Sequence, residues 1–197
     1  LMKITYLSNT AIPSDVASSI QIVKMCEAFS KNGNSVNLIT TNASKIKLNI
    51  FDFYDVKNKF NIFKINYFKT FPLGFKYYLF SIFSIIKGIK LKTDIFITRN
   101  YFSCFLLVLF KKKIIMELHH GLGEESRIVQ WLFKNTKFIN SIHVVKIVAI
   151  TNAVKEYYIK NYSVKANKIQ VLPSGSSIRK NFKFRTNKKF LKIGYFG

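Results

Sequence analysis

The stretch MKITYLSNTAIPSDVASSIQIVKMCEAFSKNGNSVNLIT, residues 2–40, decides the fold. Residues 3–8 are a short apolar run that reads as a buried strand. A loop over 9–13 follows, and Pro13-Ser14-Asp15 offers a helix start with Ser14 or Asp15 as the cap. Ile22, Met25, Cys26 and Phe29 then recur at helical spacing. Asn32-Gly33 is a helix stop, since the residue after a helix often takes left-handed backbone, which glycine adopts readily. Residues 35–40 supply a second strand. Connections this short make a β-α-β unit, and therefore a parallel sheet.

The same alternation continues outward. Strands are expected over 60–67, 93–98, 114–118, 146–150 and 169–172, and helices over 77–92, 102–110, 124–134 and 152–160. The pattern predicts an α/β fold, a Rossmann-like open parallel sheet with helices on both faces. Residues 174–189 are polar and basic with no apolar period, as in a linker, and LKIGYF (191–196) reads as a new strand. A strand at that place suggests the start of a second domain, and Leu1 before Met2 suggests that the chain boundaries are not those of a natural protein.

Composition narrows the function classes. The chain has 197 residues, with 32 Lys or Arg against 9 Asp or Glu, a formal charge of +23. A hydrophobic fraction of 49% and an aromatic fraction of 16% exclude a disordered chain. Two cysteines, Cys26 and Cys104, exclude a disulfide scaffold and a cysteine-based zinc site. The charge points first to nucleic acid. Yet Lys outnumbers Arg 28 to 4, and Arg is the residue that reads phosphates and bases bidentately. Abundant Lys, Ile, Phe and Asn fit an AT-rich coding background, so nucleic acid is not the expected partner. The N-terminus has no long signal-like apolar region. The longest Lys-free run in the apolar segment 71–91 is ten residues, 77–86, too short to span a bilayer. A cytoplasmic protein with reduced thiols is expected.

No G-x-G-x-x-G, Walker A, H-E-x-x-H or G-x-S-x-G motif occurs. The histidines are His119, His120 and His143, and an adjacent pair is poor metal spacing, so no metal site is expected. The most informative local feature is Glu117-Leu118-His119-His120-Gly121, at the end of an apolar strand. Ligands of open parallel sheets bind outside the carboxyl ends of the strands. A Glu and a His there are placed for proton or hydrogen-bond work, or for nothing more than tying down the adjacent loop. Ser18 and Ser19 enter the first helix, where backbone N–H groups approach a ligand or simply pack. Arg99-Asn100 ends another strand, as a ligand contact or a salt bridge. Ser174-Gly175 follows the last strand of the sheet, as a contact or a turn. The helix 77–92 is apolar on most sides with Lys at its ends, which suits a membrane surface or a helix covering the sheet. No acid follows Glu156, and residues 160–192 hold ten Lys or Arg, an anionic-surface patch or a solvated linker.

Together these residues resemble the N-terminal half of a family-four-type glycosyltransferase of the two-Rossmann (GT-B) architecture. The opening stretch has that family's strand, loop, helix and L-x-x-x-G-H-x-V-x-V-x-T layout. KTDIFITRN resembles its kPDvIh-R strand, and IIMELHHG its vvyE-x-H strand end. VAITNAVKEYYIKNYSVKANKIQVLPSGSS resembles its run ending in k-I-x-V-I-P-N-G-v-D, and LKIGYFG the first strand of its donor-binding domain. Ser18-Ser19 stands where the family has Gly-Gly, and Ser176-Ser177 where Val-Asp is usual.

The resemblance implies a Rossmann-like acceptor-side domain over 1–175, a basic linker over 176–190 and, over 191–197, the first strand of a donor-binding domain. It implies sugar transfer from a nucleotide sugar, with retention at the anomeric carbon, to a saccharide or lipid-linked acceptor in bacterial surface polysaccharide synthesis. His119 would be the catalytic histidine, with His120 as the alternative. Ser18, Ser19, Arg99, Asn100, Glu117, His120, Thr151, Ser174 and Gly175 would contact substrate. No cofactor is implied in this chain, which would need the C-terminal Rossmann domain for activity. An anionic membrane on the inner face would be a further partner. The alternative is a basic α/β module that binds membrane or nucleic acid without catalysis.

Overall fold

The β-α-β unit of residues 2–40 is present as β1 (Lys3–Ala11), α1 (Ala17–Lys31) and β2 (Ser35–Thr41). In this computed structural model residues 1–42, 46–66 and 74–173 are described, so the expected linker and the strand over 191–197 lie outside the described residues. The remaining elements are α2 (Ile50–Phe53), β3 (Asn61–Ile65), α3 (Phe75–Lys90), β4 (Ile95–Thr98), α4 (Tyr101–Leu109), β5 (Ile114–Leu118), α5 (Arg127–Thr136), β6 (Val144–Ala149), α6 (Asn152–Tyr162) and β7 (Ile169–Val171). The strands form one sheet in the order β3-β2-β1-β4-β5-β6-β7, and every pair is parallel. This is a Rossmann-like α/β sheet with helices on both faces.

The chain winds outward from β1 in one direction and restarts at β4 in the other. The carboxyl ends of β1 and β4 therefore flank a topological switch point, the place where doubly wound sheets open a crevice. Alternation divides the core between the two faces. Ile4, Tyr6, Val36, Leu38 and Ile97 pack with Ile22, Val23 and Cys26 of α1 and Ile50 of α2. The opposite side chains, among them Leu7, Phe96, Met116, Leu118 and Ala149, pack with α3, α4, α5 and α6 through Ile85, Leu107, Phe133 and Tyr158.

Several boundaries differ from expectation for identifiable reasons. Helix α1 does not start on Ser14 or Asp15; its N-cap is Val16, with no side-chain cap. Ser14 is held instead by Tyr54, whose hydroxyl accepts from the Ser14 N–H at 2.7 Å and donates to the Ser14 carbonyl at 2.8 Å. The stop is as read, with Asn32 as C-cap and Gly33 at φ +82°. The helix expected over 124–134 breaks in two. A 3-10 turn, Leu122–Glu124, comes first, and α5 restarts behind Ser126, which accepts from the Val129 N–H. Helix α2 has only four residues and shows no period, so it was not legible; Asn49 caps it by accepting from the Phe51 N–H at 2.9 Å. Among the described residues, no helix is long and apolar enough to cross a membrane.

Candidate functional site

Strand period decides which side chains meet at the carboxyl edge of the sheet. Tyr6 pairs with Ile97, and Thr98 with Met116, so Arg99 and Glu117 stand beside one another on the α1 side, the side Tyr6 also faces. Arg99 follows β4, which lies between β1 and β5, and the three polar groups close over it. Arg99 Nε donates to Glu117 Oε2 at 2.8 Å and to the Tyr6 hydroxyl at 3.0 Å, and Tyr6 donates to the same carboxylate oxygen at 3.0 Å. Tyr6 is wholly buried and Glu117 nearly so. His119 Nε2 lies 3.4 Å from Glu117 Oε2.

The electrostatics follow from this packing. Burial works to raise the Glu117 carboxyl pKa. The His119 hydrogen bond, the charge and hydrogen bond of Arg99, and the Tyr6 hydroxyl outweigh it and hold the group below the ordinary carboxylate value. Burial, reinforced by the Glu117 charge, pushes the Tyr6 phenol well up, so it remains a proton donor to the carboxylate. Burial alone would favour losing the Arg99 charge, but Tyr6 and Glu117 reverse that and raise its pKa. The Arg99 Nη2 atom is buried with no hydrogen-bond partner among the described residues.

A cavity of about 470 Å³ opens beside this cluster. Its floor is the α1-side face of the sheet, from Ile97 through Ile115 and Val148 to Gln170. Gln21, Lys24 and Met25 of α1 form one wall, and Glu117 and His119 stand at its carboxyl end. Among the described residues α1 and α2 are the helices packed on this face, and both lie towards β1 and β2, which leaves the floor over β5–β7 uncovered.

The other expected site residues are placed as follows. His120 turns away from the cavity. Its Nδ1 lies 2.9 Å from the Gly121 carbonyl, and its Nε2 is 3.6 Å from Glu125 Oε1. The His120 carbonyl accepts from Tyr158 at 3.1 Å and from Tyr101 at 3.4 Å, which fixes the loop after β5. Ser19 is buried, and its hydroxyl is engaged with the Ser14 and Val16 carbonyls, both at 2.7 Å; Ser18 is half-buried beside it. Asn100 caps α4 by accepting from the Ser103 N–H at 2.9 Å. Thr151 is exposed and caps α6 by accepting from the Val154 N–H at 3.2 Å. Ser174 and Gly175 lie outside the described residues. Sequence reasoning passed over Tyr6, Lys24, Lys146 and Gln170. The signal was there in part: a Lys inside VVKIVA and a Gln inside IQV are polar residues within otherwise apolar strands.

Residues 19–179 match Glycosyltransferase Family 4. The chain belongs to this family. No curated protein matches it. Three solved structures are similar in fold. A glycosyltransferase from Rickettsia africae ESF-5 is 18% identical, with a TM-score of 0.58 over 87% of this chain and 42% of its own. Anabaena HepE, in complex with UDP and glucose, is 11% identical, with a TM-score of 0.61 over 89% and 45%. The lipopolysaccharide outer core galactosyltransferase WaaB is 17% identical, with a TM-score of 0.59 over 91% and 47%. The chain thus spans less than half the length of each. At these identities the likeness shows the fold, that of one half of a GT-B glycosyltransferase.

Within this family-4 domain, Glu117, Arg99 and Tyr6 form a buried, charge-balanced base, and His119 is the group they present to the cavity. An imidazole so placed can donate or accept one proton at the cavity's edge. Among the described residues no group of three or more His, Cys, Asp or Glu could hold a metal ion.

Proposed function

We propose that this chain is the acceptor-side domain of a retaining glycosyltransferase that moves a sugar from a nucleotide sugar to a saccharide or lipid-linked acceptor in bacterial surface polysaccharide synthesis. The observation that carries the reading is that Glu117 and His119 stand together on one cavity at the carboxyl edge of the sheet, with Arg99 held against Glu117. Family membership supports the reaction class.

In this reading His119 is the catalytic group and hydrogen-bonds the sugar in transit. Glu117 accepts from His119, and Arg99 keeps that carboxylate charged. Gln21 across the cavity offers polar contacts to acceptor hydroxyls, while the Lys24 ammonium is held by Glu27 and the Asp55 carbonyl. Ser18 and the first backbone N–H groups of α1 face the donor's diphosphate, where a partial positive charge favours an anion. Asn100 and Thr151 act through the helices they cap, and Ser174 and Gly175 lead towards the donor half. Retention would rest on positioning and on donors that stabilise the departing diphosphate, with most of those donors in a second Rossmann domain. Residues 176–190 would link the two domains, and 191–197 would begin the second. The site belongs on the cytoplasmic side of the membrane, where nucleotide sugars meet lipid-linked acceptors.

Alone, the chain is expected to be inactive. Incubation with a panel of nucleotide sugars and saccharide acceptors should give no transfer, and robust turnover would overturn the division of labour proposed between the domains. The reading frame beyond Gly197 should encode a second Rossmann domain with a pair of glutamates.

A further inference from the structure

Helix α3 inverts the usual amphipathic plan. The side turned to the protein is small or polar in large part: Ser81, Ser84 and Gly88 are buried there with Phe80 and Ile85. The outward side carries Phe75, Ile82 and Ile86, each between 41% and 48% exposed. A helix that meets only water places such side chains inward. The inversion has a packing cause. A Cβ at Gly88 would lie 2.5 Å from the Phe96 ring, so the inward side is kept small there.

The patch continues onto α5. The Tyr78 hydroxyl lies 2.9 Å from Ser126 Oγ, which ties the first turn of α3 to the cap of α5. There Ile128 and Trp131, three residues apart on one side, are 54% and 60% exposed. Both helices pack on the same side of the sheet, through Ile85 and through Val129, Leu132 and Phe133, so their outward sides look away from it together. Exposed Lys90, Arg127 and Lys134 edge the patch. Although the chain has nine Asp and Glu, none lies in α3, α4 or α5; Glu124 and Glu125 stand just before the cap of α5.

Large apolar and aromatic side chains on helices that carry basic edges and no acid of their own suit one kind of surface. Apolar groups enter the boundary between headgroups and acyl chains, Lys stems extend along it to reach phosphates, and a Trp ring sits at headgroup level. Protein interfaces, by contrast, deplete Lys. We propose that the outward face of α3 and α5 docks on an anionic lipid bilayer, with Trp131 buried in the contact. The proposal draws on the transferase reading only for its purpose, access to a lipid-linked acceptor, and its test involves no turnover, so the two fail separately.

Trp131 is the single tryptophan of the chain and reports directly. Vesicles of phosphatidylcholine mixed with phosphatidylglycerol should shift its emission to the blue and carry the chain into the pellet, and added salt should weaken both effects. Vesicles of phosphatidylcholine alone should do neither. Ile82→Glu combined with Ile86→Glu should lower vesicle affinity on the order of tenfold. Lys31→Glu, on α1 at the other side of the sheet, changes the net charge equally and should have little effect. Equal losses in the two variants would mean that the overall +23 charge binds without a face, and would overturn the proposal. So would sedimentation without an emission shift, or a shift that grows with protein concentration in the absence of lipid, which would mark a protein interface. If the double variant does not fold, quenching of wild-type Trp131 by brominated lipid decides, and its absence counts against docking.

Discussion

Glu117 concentrates the competing forces of the candidate site in one carboxylate. Its nearly complete burial argues against charge, and one Arg, one Tyr and one His argue for it and prevail. Glu117→Gln should destabilise the protein by about 2 kcal/mol, because the Arg99 charge would remain in a mostly enclosed place without its counter-ion. Urea unfolding measures this. The pH dependence has a definite sign. The folded pKa of Glu117 is depressed, so between that value and the ordinary one, about 4.3, the unfolded chain binds the extra proton. The stability difference between wild type and variant should therefore be full above about pH 4.3 and shrink as pH falls through the folded value; a difference that grows in acid would reverse the assignment. Arg99, Glu117 and His119 were all legible as strand-end residues. Tyr6 was not, because a Tyr in an apolar strand looks like core until its hydroxyl is found at 3.0 Å from a carboxylate fixed by a strand two positions away in the sheet.

At the scale of elements, the helix over residues 75–90 was legible from its apolar content, but not which of its sides faces the protein. Composition favours an inward Ile and Phe side; close packing on Phe96 selects Gly88 instead, and Ser81 accepts a hydrogen bond from Ser103 of α4. A Cβ on Gly88 would lie 2.5 Å from the Phe96 ring, which is buried in a central strand and has no room to swing. Gly88→Ala should thus destabilise by about 1–3 kcal/mol, although alanine is the better helix former by about 1 kcal/mol. A raised melting temperature would show that the ring yields. Thr151→Ala removes the α6 cap at an exposed position and should cost about 1 kcal/mol, read as a lowered melting temperature. The start of α1 was misassigned because Ser14 and Asp15 have cap chemistry, whereas the partner that engages Ser14, Tyr54, is forty residues away.

Over the whole molecule, periodicity and short connections carried the class, a parallel α/β sheet, since each strand–helix–strand step is local. Strand order is not local. The return from β3 to the other side of β1 creates the switch point, and no residue within residues 61–95 announces it. The family's motifs supplied what periodicity lacked, and the Family 4 match over residues 19–179 agrees with them. The sheet floor beside His119, which no helix among the described residues covers, emerged only from the assembled fold. The central claim is that this edge of the sheet performs the sugar-handling chemistry. Its most direct test is turnover by the protein encoded by the complete reading frame, wild type against His119→Ala, with each nucleotide sugar that supports transfer. The account predicts a kcat lower by about 100-fold or more with little change in KM for the nucleotide sugar; an unchanged kcat for His119→Ala would contradict it.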